Sequence, residues 1–432
     1  MLGGGNFTSQ NKVLPGAYIN FVNAASAGAA MGERGVAAIP MVLDWGPEKK
    51  VFEVTAEDFQ GKSREIFGYS YDDAAMIPVR ELFKNLTKGI FYRLNVGVKA
   101  ENDYGTSVYG GVRGNSLKTV ISKNIDDETK FDVKTLFAGI EVDVQTVAGA
   151  SGLKDNAYIT FKKTATLAET AGMPFTGGTS GEAVTGEDYA AFLAKMENYS
   201  FQALCCPSVD ENVKALFAAF TKRMRDENGV KFQTVLYRYT KADYEGVISV
   251  ENEAEEMESG LVYWTTGAEA SCAINKTTEN KTYDGEYSVK ADYTQIQLKE
   301  GIQAGSFLFH KVGSEIRVLM DINTLVTYTE EKGEDFSSNQ TIRVLDQIGN
   351  DIASLFNTRY LGKIPNDAAG RVSLWNDIVT YGKQLTTLRA IEAVKADAIT
   401  VNKGSSKRSV VVNFPVEPIN CMSQLYMTVV VS

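Results

Sequence analysis

The chain has a single histidine, His310, and any acid–base chemistry that needs an imidazole would have to use it. His310 lies in the apolar run Phe307-Leu308-Phe309-His310-Lys311, which is typical of a strand, so a structural role explains it without catalysis. A Ser-His-Asp triad would have to recruit His310, and no G-x-S-x-G elbow precedes it. One histidine also excludes a zinc site built from several histidines. These observations argue against catalysis, and a hydrolase with His310 as its base is kept only as the alternative function.

Four cysteines occur, Cys205, Cys206, Cys272 and Cys421. Two are adjacent and the others lie far apart, which is neither a disulfide framework nor a C-x-x-C metal motif. We interpret them as small buried apolar side chains in a protein kept in a reducing compartment.

Three polar stretches have the composition of binding loops but not the spacing. The Gly-rich stretch 176–186 lacks the G-x-x-x-x-G-K-[ST] pattern and carries Glu182, which opposes phosphate, so it is interpreted as a flexible linker. The acidic runs 126–128 and 251–256 lack the glycine and the spacing of a calcium loop. The sequence thus predicts no catalytic residue, no cofactor and no metal site.

Composition describes a globular protein, with 44% hydrophobic and 23% charged residues and a formal net charge of -10. An acidic balance argues against nucleic acid as a partner, because phosphate binding needs a basic face. No signal peptide is expected at the N-terminus. No apolar run approaches the roughly 20 residues that span a bilayer, so membrane insertion is not expected. Two to four domains are expected for 432 residues.

The ends of the chain are rich in β-branched and aromatic residues, a composition that predicts strands. Unpaired apolar edge strands aggregate unless a partner covers them, so we expect these arms to pair with a partner such as another copy of the chain. The residues assigned to the arms are Tyr18, Ile19, Phe21, Val22, Val410, Val412, Tyr426, Met427, Val429, Val430 and Val431.

A basic cluster, Lys222, Arg223 and Arg225, closes an amphipathic helix. Two explanations stay open at this point. The cations either complement the negative end of the helix dipole or form a patch that meets acidic residues of a neighbouring subunit.

The hydrophobic periodicity changes along the chain. Strands over 41–43, 51–54 and 89–94 with two short helices predict an α+β segment at the start. Period-two strands over 117–121, 130–134, 141–147 and 158–162 predict an inserted β-sandwich or barrel. Alternating strands and helices follow from about 187 and predict a parallel sheet. Two long helices, over 339–360 and 366–394, precede the terminal strands, and Pro365 separates them.

Several strings of this sequence resemble the contractile tail sheath proteins of PBSX-like prophages and phage tail-like bacteriocins. The longest is Asp335-Phe336-Ser337-Ser338-Asn339-Gln340-Thr341-Ile342-Arg343-Val344-Leu345-Asp346-Gln347-Ile348-Gly349-Asn350-Asp351-Ile352. Others are Asn11–Phe21, Glu33–Ala37, Leu43–Pro47 and Tyr244–Val250. The resemblance covers both arms and the domains between them.

The resemblance implies an α/β and α+β multidomain protein. Its expected parts are an N-terminal arm (1–30), an α+β segment (31–95), an inserted β-sandwich (96–180), a subtilisin-like α/β domain without a triad (181–335), and a C-terminal α+β domain with a C-terminal arm (336–432). Fold alone carries no hydrolase activity.

The resemblance also implies a role. Such proteins stack in rings of six around an inner tube, and they contract to drive the tube through a cell envelope. Their arms pair with a sheet of neighbouring subunits. The implied partners are other sheath subunits, the inner tube protein, and baseplate and terminator or collar proteins. The implied location is the bacterial cytoplasm during assembly, then a phage tail or released tail-like particle. Another tail or baseplate component is the remaining alternative.

Overall fold

A computed structural model describes residues 32–431. The strands in chain order are β1 (Val36–Met41), β2 (Val51–Thr55), β3 (Lys88–Arg93), β4 (Lys99–Glu101), β5 (Gly105–Gly110), β6 (Leu117–Lys123), β7 (Phe131–Phe137), β8 (Ile140–Val147), β9 (Ile159–Phe161), β10 (Thr170–Pro174), β11 (Ala203–Cys206), β12 (Gln233–Tyr237), β13 (Val247–Val250), β14 (Ser306–Phe307), β15 (Phe309–Val312), β16 (Glu315–Val318), β17 (Thr400–Lys403) and β18 (Val410–Asn413). The helices are α1 (Ala56–Phe67), α2 (Ile77–Phe83), α3 (Gly186–Met196), α4 (Glu211–Asp226), α5 (Leu261–Ser271), α6 (Gln295–Gln303), α7 (Asn339–Leu355) and α8 (Ala368–Thr387).

The described chain divides into two compact units. The first, here the main unit, holds Glu33–Gly349 and the residues from Ile419 onward. The second, here the C-terminal unit, holds Asn350–Pro418 together with Gly32.

A seven-stranded sheet in the order β14-β13-β12-β11-β1-β3-β2 organises the main unit. Its pairs are parallel except β2 with β3. Parallel strands are normally covered on both faces, which requires apolar residues on both sides of each strand. Helices α1, α2 and α5 supply Phe59, Leu82 and Trp264 to one apolar core. Helices α3 and α4 supply Phe192 and Phe217 to the other.

Helix α5 shows how tightly one face is packed. Every residue from Leu261 to Ala270 is buried, which is the pattern of a helix enclosed on all sides. At Gly267 a Cβ atom would lie 2.3 Å from the carbonyl oxygen of Leu82. Glycine therefore lets α5 and α2 approach each other directly.

The sheet joins two segments that the sequence separates. β1, β2 and β3 come from residues 36–93, and β11 to β14 come from residues 203–307. The prediction of a strand over 41–43 is wrong in its placement, because the strand in this part of the chain is β1, which ends at Met41. Proline rarely occurs in a central strand, and Pro40 is tolerated here because β1 pairs with β11 only through Ala37 and Ala38.

Strands β4 to β10 form the predicted β-sandwich. One layer is the antiparallel sheet β10-β6-β7-β8, and the other is β4-β5-β9. Trp45 enters this core from the loop after β1, and its ring lies 5.3 Å from Tyr109 and 5.2 Å from Phe137. The prediction of strands was confirmed for β6, β7, β8 and β9, whereas β4, β5 and β10 were missed because they are short or contain glycine.

The stretch 176–186 is not the free linker that its composition predicts. Thr176 and Thr179 form β-bridges with Glu101 and Val98. Asn115 donates a hydrogen bond to the carbonyl of Gly178 and accepts one from its backbone N–H, each 2.9 Å long. Residues 176–180 are therefore fastened along the sandwich.

The C-terminal unit contains the end of α7, helix α8 and a hairpin. α7 is followed by a π-helical turn, Phe356–Tyr360, so the prediction of a helix over 339–360 is confirmed. The prediction that the next helix reaches 394 is wrong, because α8 ends at Thr387 and Arg389 adopts a left-handed φ of 59°. β17 and β18 pair antiparallel, with Val401 opposite Val412. Residues 404–409 form the connection between them.

Candidate assembly site

His310 lies on β15 opposite Arg317 of β16. Partial burial and the charge of Arg317 both lower its pKa. No hydrogen bond joins its imidazole to a carboxylate within residues 32–431, so no triad is assembled around it there. In the same range no group of three His, Cys, Asp or Glu side chains is placed to hold a metal ion.

All four cysteines are free thiols. Cys205 and Cys206 are buried as predicted, and burial raises the pKa of Cys206 to about 12. Cys272 is half-buried. Cys421 is exposed, so the prediction of a buried thiol is wrong for this residue, which lies in the C-terminal segment described below.

The basic cluster of α4 does not form one surface patch. Arg225 is buried, and its guanidinium donates to both carboxylate oxygens of Asp346 at 2.5 and 2.8 Å. Arg223 pairs at the surface with Glu197. Lys222 lies over the ring of Tyr244. The prediction of a three-residue intersubunit patch is therefore wrong for Arg225, which pairs within its own chain.

A second buried cation, Arg343, holds the start of α7 to the main unit. Its guanidinium donates to Glu269 at 2.6 Å and to Asp321 at 3.1 Å, and the three side chains are almost fully buried. It also donates to the backbone carbonyl of Lys276 at 2.9 Å. Asp321 accepts a further hydrogen bond from Asn339, the first residue of α7. We call Arg343, Glu269 and Asp321 the buried ionic triplet.

The triplet contains one cation and two carboxyl groups, which affects its titration. Burial and the neighbouring Asp321 carboxylate raise the pKa of Glu269 from 4.5 to about 7. The charge of Arg343 and hydrogen bonds lower the pKa of Asp321 despite its burial. Glu269 therefore keeps its proton in the folded protein at a pH where the unfolded chain has lost it.

A pH-dependent stability follows from Glu269. Its contribution is fully present below the unfolded pKa of 4.5 and is lost as pH rises through about 7. We expect the free energy of unfolding to fall over this interval, by up to about 1.4 kcal/mol for each unit of pKa shift. Chemical denaturation at several pH values measures this fall. The Glu269→Gln variant should lack this component, and an identical pH profile in the variant would contradict the assignment.

The same turns of α7 fasten the C-terminal segment, residues 419–431. The amide of Gln340 donates to the carbonyl of Ile419 at 3.1 Å and accepts from the backbone N–H of Cys421 at 2.9 Å. Asn420 donates to the hydroxyl of Thr341 at 3.0 Å. These contacts fasten the start of the segment to α7.

Beyond its fastening point the C-terminal segment is exposed. Tyr426 is 88% exposed and Met427 is 73% exposed. The other large apolar side chains there are also mostly exposed: Met422, Leu425, Val429, Val430 and Val431. Residues 419–431 belong to no strand of the described chain. An uncovered apolar stretch of this length is the signature of a surface that binds a partner.

The arm residues predicted at 410 and 412 lie in the β17–β18 hairpin and not in the C-terminal segment. Val410 and Val412 belong to β18 and pair with Lys403 and Val401 of β17, so they do not form an unpaired arm. Their pairing with a neighbouring subunit stays a prediction. Within residues 32–431 this hairpin has no third strand, and Val411 is 56% exposed. An apolar two-stranded hairpin is marginal in water and offers an edge for strand addition.

The remaining arm residues, Tyr18, Ile19, Phe21 and Val22, lie outside the described residues. Sequence reasoning missed the triplet and the Gln340 contacts. The available signal was the charged Arg343 between Ile342 and Val344, within an otherwise amphipathic helix.

Sequence profiles of phage tail sheath proteins match almost all of the described chain. They are the tail sheath protein Gp18 domain III N-terminal region at residues 34–94, the beta-sandwich domain at 95–180, the central domain at 182–324 and the C-terminal domain at 331–432. The chain belongs to the phage tail sheath protein family, and it is a structural sheath subunit.

Relatives agree with this family. The phage-like element PBSX protein XkdK of Bacillus subtilis is 35% identical over 381 residues, which is 80% of each chain. The crystal structure of the sheath tail protein of Desulfitobacterium hafniense superposes with a TM-score of 0.82 at 38% identity, over 93% of this chain and 96% of that one. The contracted helical sheath of the anti-feeding prophage shares the fold, with a TM-score of 0.56 at 12% identity over 97% and 99% of the two chains. No helix in the described part of this chain is long and apolar enough to cross a membrane.

Proposed function

We propose that this chain polymerises around an inner tube in stacked rings of six subunits and contracts to drive the tube through a target cell envelope. The exposed apolar C-terminal segment is the observation that carries the proposal. Its anchorage at Gln340 and Thr341 leaves the residues beyond it available to a neighbouring subunit. The contracted state named for the anti-feeding prophage sheath supports contraction by analogy of fold.

The arms join the subunits by strand addition. A strand that adds to the edge of the β17–β18 hairpin satisfies backbone donors and acceptors along its length. Each apolar side chain that it buries contributes roughly 1.5–3 kcal/mol. We propose that residues 18–22 and 426–431 act in this way, and that contacts between subunit bodies exchange while the strands stay paired. Head-to-tail contacts of this kind build an open helix.

The domain organisation that we propose has an arm over 1–30, segments 31–95 and 181–335 that share one sheet, a sandwich over 96–180 and a C-terminal domain over 336–432. We assign the α/β part to the subtilisin-like class, and we assign it no catalytic role. His310, the base of the alternative hydrolase, lacks a hydrogen-bonded carboxylate partner among the described residues.

The proposed partners are other sheath subunits, an inner tube protein, and baseplate and terminator or collar proteins. Nucleic acid is not proposed as a partner, because the formal net charge is -10. We propose assembly in the bacterial cytoplasm, followed by incorporation into a phage tail or a released tail-like particle.

Truncation and electron microscopy test the proposal. Chains that lack residues 1–22 or residues 422–432 should fold and stay as free subunits, because the strands that link neighbours are absent. Ile125→Ser is the matched control. Ile125 is 96% exposed at a loop of the sandwich, so this substitution removes exposed apolar surface away from the arms. Normal contractile sheaths from both truncated chains would refute the proposed role of the arms.

A further inference from the structure

The C-terminal unit contains a cavity of about 380 Å³ beside the hairpin. Apolar side chains of the segment after α7 and of α8 line it, among them Phe356, Leu361, Ile364 and Leu374. The charged residues in its lining, Arg371, Lys407 and Arg408, are all cationic. A cavity of this composition suits an apolar occupant that carries no positive charge.

The cavity is continuous with one face of the hairpin. Val410 of β18 lines it, and Val412 lies on the same face because side chains alternate along a strand. Val411 points to the opposite face, where it is 56% exposed. A strand added beside β18 would therefore place every second side chain towards the cavity.

The C-terminal segment has the alternation that this site requires. Leu425, Met427, Val429 and Val431 would form one row of an extended strand, and all four are apolar. The opposite row contains Tyr426, Thr428 and Val430. The segment carries no charged side chain from Ile419 to Val431, so the cationic lining meets no opposing cation.

We propose that the cavity receives Leu425 and Met427 from the C-terminal segment of a second copy of this chain. The proposal rests on strand addition as proposed above, and it assigns the row of side chains that is buried and the pocket that buries it. Tyr426 and Thr428 then face away from the cavity.

Two adjacent substitutions test the assignment of the row. Met427→Lys should abolish sheath assembly, because it places an ammonium group in an apolar cavity whose lining already contains Arg371, Lys407 and Arg408. Thr428→Lys changes the neighbouring residue of the same segment to the same charged side chain, and it should leave assembly intact. Both positions follow the fastened residues 419–421, so thermal unfolding of the free subunits should be unchanged. Equal loss of assembly in both variants, or intact assembly with Met427→Lys, would overturn the assignment.

Crosslinking identifies the pocket directly. A photoreactive diazirine amino acid at position 427, in sheaths mixed from isotope-labelled and unlabelled chains, should crosslink between chains to residues 356–374 or 407–410. The same probe at position 428 should not. Sheaths that assemble but crosslink from 427 to other residues would overturn this inference and leave the sheath function standing. Failure of the unmodified chain to form sheaths would instead refute the proposed function.

Discussion

Arg343→Met is expected to lower the free energy of unfolding by about 3–5 kcal/mol, the usual cost of removing one partner from a buried ion pair. The substitution leaves Glu269 and Asp321 buried without their cation. It also removes the hydrogen bond to the carbonyl of Lys276. Methionine approximates the length of the arginine stem, so the lost interactions, and not a large cavity, determine the effect.

Urea denaturation of the free subunit measures this loss. Arg317→Met is a suitable control, because Arg317 pairs with the exposed Glu315 and should cost less than about 1 kcal/mol. The loss should shrink at acidic pH, since protonation of Asp321, whose pKa Arg343 lowers, removes an unpaired charge. A loss for Arg343→Met no larger than that of the control would show that water screens the triplet.

Arg225→Met is expected to destabilise the main unit by a similar amount, about 3–5 kcal/mol, because Asp346 would lose its buried bidentate partner. The double variant Arg225→Met/Asp346→Leu should recover most of this loss. Replacing both members of a buried pair with apolar residues is often neutral or stabilising.

A double-mutant cycle on Arg225 and Asp346 reports their coupling energy. Arg223→Met is the control in the same turn of α4, and its exposed pair with Glu197 should contribute less than about 1 kcal/mol. Additive effects of the two single substitutions would contradict a coupled pair.

Local patterns in the sequence were sufficient to predict the helices and strands that are amphipathic. The spacing of Val213, Phe217 and Phe220 predicts α4, and all three are buried. The period-two strands of the sandwich were predicted for the same reason. β1 was misplaced because Pro40 suggests a break, and only the short pairing with β11 makes this proline acceptable.

The partners of buried charges were beyond local reasoning. Arg225 and Asp346 are separated by 121 positions, and helix periodicity does not state which distant carboxylate lies opposite. The strand β17 was missed because Thr400–Lys403 is short and polar, so the valines of β18 were assigned to an arm. The exposed segment 425–431 was recognisable as apolar from its β-branched and aromatic residues.

The order of strands in the main sheet also sets the order in which it completes during synthesis. β1 lies between β3 and β11 in the sheet. β3 is synthesised soon after β1, whereas β11 is synthesised only after the whole sandwich. Domains generally fold as units from the N-terminal side as they are translated. The nascent chain therefore carries β1 with one bare edge until Ala203–Cys206 leaves the ribosome. The sandwich, which has its own core, can fold during that interval.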